Sequence, residues 1–205
     1  MASYVRHLEC ARCGTVYDAG REHHLCSCGG PLLVRYDLGR VKQVVSKEQV
    51  AAREASLWRY RELLPVAETT APVSMGEGWT PVLPLPRWGS RRGFSYLYLK
   101  DEGHNPTGTF KARGAAVGVT RARELGVREI AMPTAGNAGG AWSLYAARAD
   151  IRAHVAMPRD APSGGGRGRA VYLPERPRWR ASCTCGRPGW WVRTSASSSS
   201  TRAVA

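Results

Sequence analysis

The chain has 205 residues, enough for one or two domains with a real core. Its net charge of +14 would suggest nucleic acid if the basic residues shared one face. From Ser163 onward, however, eight arginines stand against one acid, Glu175, so that tail alone carries +7 and the preceding 162 residues the other +7. No apolar run approaches the roughly 18 residues needed to span a bilayer. The opening MASYVRHLEC also lacks a secretory apolar region, so the reading is a cytoplasmic protein without a membrane partner.

Residues 1–38 form a cysteine-bearing segment. Cys10-Ala11-Arg12-Cys13 has the CxxC spacing of a zinc knuckle, and Cys26-Ser27-Cys28 offers two more thiols. Four sulfurs around one tetrahedral ion would staple a stretch with little core of its own. The second pair is CxC where a regular zinc ribbon has CxxC. His23 and His24 are alternative ligands. Bound zinc and four reduced cysteines in a small β-rich lobe both fit the spacing. A third close pair, Cys183/Cys185, lies in the tail.

Next comes a helical pattern. Ser46 is placed to cap a helix, with Gln49 three residues on, and Val50, Ala51, Leu57, Leu63 and Leu64 recur at helical spacing until Pro65. The turn-rich Gly76-Glu77-Gly78-Trp79-Thr80-Pro81 then leads into the apolar run Val82–Leu85.

Residues 96–114, YLYLKDEGHNPTGTFKARG, carry the densest chemistry. A β-type stretch, Tyr96–Leu99, passes through the breaker-rich loop 103–108 into a helix with Lys111 in its first turn. An amine there, partly desolvated beside the positive end of a helix, can shed its proton and attack carbonyl carbon. A surface lysine on an amphipathic helix is the plain alternative. The helix runs through Ala115, Val119, Ala122 and Leu125 to a stop at Gly126, and a strand is expected over Val127–Met132. Thr134-Ala135-Gly136-Asn137-Ala138-Gly139 follows, a small-residue loop opening a second helix, whose free N–H groups make an anion site. Ala153–Met157 is the next strand. Strand, helix, strand, helix, strand over 96–157 predicts a parallel, three-layer α/β unit.

Lys100, Glu102, Asn105-Pro106-Thr107-Gly108, Phe110-Lys111 and Arg113-Gly114 together resemble the lysine segment of the fold-type II pyridoxal-phosphate enzymes, the tryptophan synthase β-like fold. The wording LKDEGHNPTGTFKARG is most similar to the threonine synthases, with Thr109 where Ser is usual. The GEGWTP loop and the TAGNAG loop resemble elements of the same family. This resemblance implies that residues 39–162 are part of a catalytic α/β region, with Lys111 as the catalytic residue that holds pyridoxal 5'-phosphate. It implies that Asn137 contacts the cofactor ring oxygen. It also implies that Thr109, Thr134, Gly136, Asn137 and Ala138 bind the substrate carboxylate. The implied reaction is that of a lyase in threonine biosynthesis, turning O-phosphohomoserine and water into threonine and phosphate, in a full-length homodimer. A related enzyme such as a threonine dehydratase would share Lys111 and Asn137. A small basic zinc protein that binds nucleic acid would use the cysteines and the tail, but it leaves 96–157 unexplained.

Residues 163–205 read differently. They are rich in Gly, Pro, Arg and Ser without a period of 2 or 3.6, which predicts a disordered segment. Arginines beside Trp179, Trp190 and Trp191 could stack on single-stranded nucleic acid; the abrupt change of composition favours out-of-frame translation instead. The glycine-rich phosphate loop and the pyridine-nitrogen partner of the family find no counterpart before Ser163. Gly164-Gly165-Gly166 comes too early to be that loop. The expectation is therefore an incomplete fold and an inactive chain.

Overall fold

In the computed structural model, residues 4–134 and 136–158 are described in full, and strands at 169–173, 191–193 and 202–203 in their backbone. The N-terminal lobe is a three-stranded antiparallel sheet of order β2-β1-β3, from β1 (Val5–Cys10), β2 (Val16–Tyr17) and β3 (Leu32–Tyr36). Its fully buried side chains are Cys10 and Cys26. A lobe this small has no ordinary apolar core.

Asp37 caps α1 (Leu38–Val44) through the Arg40 N–H at 2.9 Å. Ser46 caps α2 (Lys47–Ala52) in the reciprocal arrangement with Gln49 that its sequence predicts. The helix does not run on to Leu64. Arg59, 5% exposed, turns its guanidinium back onto the carbonyls of Val50, Ala51 and Arg53 at 2.8–3.1 Å. Arg53 meanwhile makes two 2.7 Å bonds to Glu62. These charged bonds satisfy the end of α2, and the chain restarts as a 3-10 helix over Leu57–Leu63.

Strands β4 (Val82–Pro84) and β5 (Tyr98–Lys100) flank the short α3 (Pro86–Ser90) and pair antiparallel with each other. The sequence placed the first strand, at 96–99, in the parallel unit. Here β5 stands outside that sheet, and all six residues of the β4–β5 pair are exposed.

Helix α4 (Lys111–Glu124) turns tightly into β6 (Glu129–Pro133), with Val127 N–H on Ala122 C=O at 2.9 Å. Helix α5 (Asn137–Arg148) then carries the chain to β7 (Arg152–Pro158), which lies parallel to β6. Together these elements form the βαβ unit the pattern predicts. Ala112, Ala115, Ala116 and Val119 of α4 meet Ala141, Tyr145 and Ala146 of α5 over Val127, Ile130 and Ile151. Alanines on both helices permit that close approach.

Past Ser163 the composition predicts no element, yet the structure places three short strands there. Strand β8 (Arg169–Leu173) continues the parallel order beside β7; β9 (Trp191–Arg193) lies antiparallel beside β6, and β10 (Arg202–Ala203) antiparallel beside β9. The run Ala170-Val171-Tyr172-Leu173 is short but β-prone. The tail's remaining features, including Gly164–Gly166 and Cys183/Cys185, lie outside the described residues. Among the described residues no helix is long and apolar enough to cross a membrane.

Candidate active site

Lys111 is the first residue of α4, its backbone N–H on Thr109 Oγ1 at 3.3 Å. The expected desolvation is not seen. Lys111 is exposed, with its Nζ 4.5 Å from the centre of the likewise exposed Phe110 ring. Behind it lies a mesh that is half-buried at Glu102 and Arg113 and buried at Thr80 and Asn105. Arg113 reaches Glu102 from Nε at 2.7 Å and from its second amino group at 2.8 Å. Thr80 Oγ1 donates to Glu102 at 2.7 Å and accepts from Arg113 at 3.2 Å. Asn105, 4% exposed, donates to Glu102 Oε2 at 2.9 Å and accepts the Gly78 N–H at 3.2 Å. The Arg113 guanidinium, aided by the Thr80 and Asn105 donors against partial burial, pulls Glu102 down to about 2. The loop before the lysine, the first turn of α4 and the GEGWTP loop are thereby one hydrogen-bonded unit.

A second carboxylate, this one fully buried, ties the GEGWTP loop to α5. Glu77 is fully buried and takes Trp58 Nε1–H at 2.5 Å, the Tyr145 hydroxyl at 2.6 Å and the Met75 N–H at 2.9 Å. Burial pushes the Tyr145 phenol up, and the Glu77 carboxylate adds to the shift. Sequence reading marked this loop but not the carboxylate's role. The clue was an acid between two glycines in an otherwise apolar, aromatic setting.

At the start of α5, Thr134 Oγ1 accepts the Gly136 and Gly139 N–H groups, both at 3.2 Å. A Cβ on Gly139 would fall 2.4 Å from Thr134 Cγ2 and 2.8 Å from Val155 Cγ1, so only glycine lets the helix start lie this close to the strand. Asn137 is exposed in the first turn, and the N–H groups of Asn137 and Ala138 have no partner among the described residues. Helix α5 leaves β6 at its C-terminal edge. Helix α4 packs on the same core and enters β6 through a tight turn, so it doubles back and its N-terminus lies toward that edge as well. Lys111 and Asn137 therefore share one edge of the sheet, although no hydrogen bond links them among the described residues.

These groups fit pyridoxal phosphate in part: an amine, an exposed amide, two open N–H donors, and the buried Thr107 hydroxyl, which has no hydrogen-bond partner among the described residues. Among the described residues no glycine-rich loop stands ready for the cofactor's phosphate. A cavity of about 460 Å³ lies elsewhere, between the N-terminal lobe and the far side of α4, lined by Leu8, Val34, Val117, Ala122 and Trp142 and not by Lys111.

The four N-terminal cysteines come together. Their Sγ atoms all lie within 4.8 Å of one another. His23 and His24 stand outside the cluster; the His23 ring bonds the Asp18 carbonyl at 2.7 Å and packs edge-on to Tyr17.

Comparison with known proteins decides the family. Residues 73–171 match the family described as pyridoxal-phosphate dependent enzyme. That stretch belongs to the pyridoxal-phosphate-dependent enzymes of fold type II. The match ends past residue 162, where the sequence motifs run out, and takes in most of β8. The chain is 39% identical over 163 residues to a threonine synthase of Methanocaldococcus jannaschii, covering 80% of this chain and 40% of that protein. It is 40% identical over 153 residues to the threonine synthase of Methanosarcina acetivorans, covering 74% and 37%. With that of Halalkalibacterium halodurans it shares 43% over 108 residues, 50% and 30% of the two chains. The chain is thus threonine synthase-like, and it spans about two fifths of the length of the first two relatives.

Proposed function

We propose that this chain carries the lysine-bearing part of an enzyme that makes threonine and phosphate from O-phosphohomoserine and water. One observation carries the reading: Lys111 opens α4 on a loop locked by Glu102, Arg113, Thr80 and Asn105, on the sheet edge that also presents Asn137. Lys111 Nζ would hold pyridoxal phosphate covalently. Bound there, the cofactor supplies an electron sink for the pairs left when protons depart from carbon. With its proton shed, the Lys111 amine would take the proton from the substrate's Cα and move the proton at Cβ in the same way. The open Asn137 and Ala138 N–H groups bind the substrate carboxylate at the start of α5, with Thr109, Thr134 and Gly136 shaping that pocket. The exposed Asn137 amide would hold the cofactor ring from the start of α5. The reading rests on the threonine synthase relatives and on these groups sharing one edge.

The test is a chimaera joining residues 4–158 to the C-terminal part of the M. jannaschii relative. Phosphate and threonine in equal amounts from O-phosphohomoserine support the reading, with a loss of at least about 1,000-fold in Lys111→Ala. Ammonia and a 2-oxo acid from threonine, without phosphate-releasing activity, would replace it with a dehydratase.

A further inference from the structure

The structure assigns a second site, independent of the lysine chemistry: we propose that Cys10, Cys13, Cys26 and Cys28 hold one zinc ion as four thiolates, and that this ion is the core of the N-terminal lobe. The geometry comes first. Cys10 and Cys28 Sγ are 3.5 Å apart, Cys13 and Cys26 Sγ 3.4 Å, and all four lie within 4.8 Å of each other. Four sulfurs at 2.3 Å from one tetrahedral ion stand about 3.8 Å apart. A disulfide needs about 2.05 Å, and all four cysteines are free. Each short contact joins one pair to the other, as two turns closing on a common centre would do.

The surroundings are built for that closure. Gly30 packs where a Cβ would meet Cys10 Sγ at 2.7 Å, Arg12 Cβ at 2.9 Å and Cys28 Sγ at 3.3 Å, so a larger residue would force the two turns apart. The Gly14 N–H closes the first turn on the Cys10 carbonyl at 3.0 Å, and the Gly29 N–H closes the second on the Cys26 carbonyl at 2.7 Å. Donors point at sulfur: Arg12 N–H on Cys10 Sγ at 3.3 Å and the Tyr17 hydroxyl on Cys26 Sγ at 3.2 Å. Such donors favour thiolate, the form that binds metal.

Energetics supply the reason for an ion. Among residues 4–36 the buried side chains are Cys10 and Cys26, both cluster members. A lobe without an apolar interior gains its stability from the metal. An all-sulfur, tetrahedral donor set suits zinc, with iron the main competitor. The loop between the pairs reports on the ion at a distance, because Arg121 of α4 donates to the Ala19 carbonyl and pairs with Glu124 at 2.5 Å. Glu124 in turn accepts the Ala67 N–H at 3.0 Å. Ordering that loop therefore docks the lobe on the last turn of the lysine helix, ten residues beyond Lys111.

The experiment uses the 205-residue chain with Cys183→Ser and Cys185→Ser, so that the tail thiols cannot bind. Purified without chelator, it should hold one zinc per chain by elemental analysis. Stripped under reducing conditions and titrated with cobalt, it should show thiolate-to-cobalt charge-transfer absorption that one equivalent of zinc abolishes. Cys13 is exposed, so Cys13→Ser should spare the fold of residues 38–158, by far-UV circular dichroism, while weakening zinc binding at least about 100-fold. Hydrogen exchange at residues 16–25 should speed up on metal removal while α5 stays protected. A chain with iron or no metal, cobalt without charge transfer, or zinc binding unchanged in Cys13→Ser would overturn the assignment.

Discussion

Glu102 shows how much one side chain can fix. It holds Arg113, Thr80 and Asn105 at once, and so joins the loop before Lys111 to the helix that carries it. Its carboxyl lies at about 2 in the fold against an ordinary 4.5, with the Arg113 bond as the main cause. The folded value is the lower one, so the ionised form stabilises the fold above about 4.5. That stabilisation fades as pH falls from there toward about 2. Glu102→Gln should therefore cost about 1–3 kcal/mol at pH 7, a gap from wild type that narrows in urea titrations as pH drops through this window. Glu77 works by another route. Glu77→Ala leaves Trp58 Nε1–H, the Tyr145 hydroxyl and the Met75 N–H without their acceptor inside the protein, a loss of about 3 kcal/mol by urea unfolding. Both acids stand in motifs the sequence reading singled out. Their partners were not legible there, because Glu102 meets Thr80 across 22 positions and Glu77 meets Tyr145 across 68.

Among the elements, those with local signals came through best. The Ser46–Gln49 box, α4 with its stop at Gly126, and the β6–α5–β7 crossover all follow from capping residues and short-range period. The helix expected to run from Ser46 to Leu64 failed at Arg53, because Arg59 bonds back to the α2 carbonyls. Period alone does not register a buried arginine. Strand β5 was located to within two residues, but its partner was not: β4 takes it antiparallel, a choice set by the α3 turn between them. The fit of α5 against β7 gives a direct test at this scale. Gly139→Ala puts a methyl into Thr134 and Val155, and should destabilise the fold by about 1–3 kcal/mol in urea unfolding. The same change should displace Asn137, seen as altered amide exchange in the first turn of α5.

At the scale of the whole molecule, a sulfur-centred lobe and an alanine-packed βαβ unit meet on α4. The lobe touches its last turn through Arg121, and Lys111 stands at its start. The cysteine pairs and the lysine motif were both legible as patterns of residue type and spacing. That one helix serves both was not, since it depends on a contact between Ala19 and Arg121. The account depends most on Lys111 being the reactive amine. Four lysines occur in the chain, Lys42, Lys47, Lys100 and Lys111, and Lys100 is already bonded through its Nζ to the Thr80 carbonyl. Incubating the chain with pyridoxal phosphate, reducing with borohydride and mapping peptides by mass spectrometry therefore gives a clean answer. The account predicts label on the Lys111 peptide, lost in Lys111→Ala. Label centred on Lys100, or spread evenly over all four lysines, would contradict it.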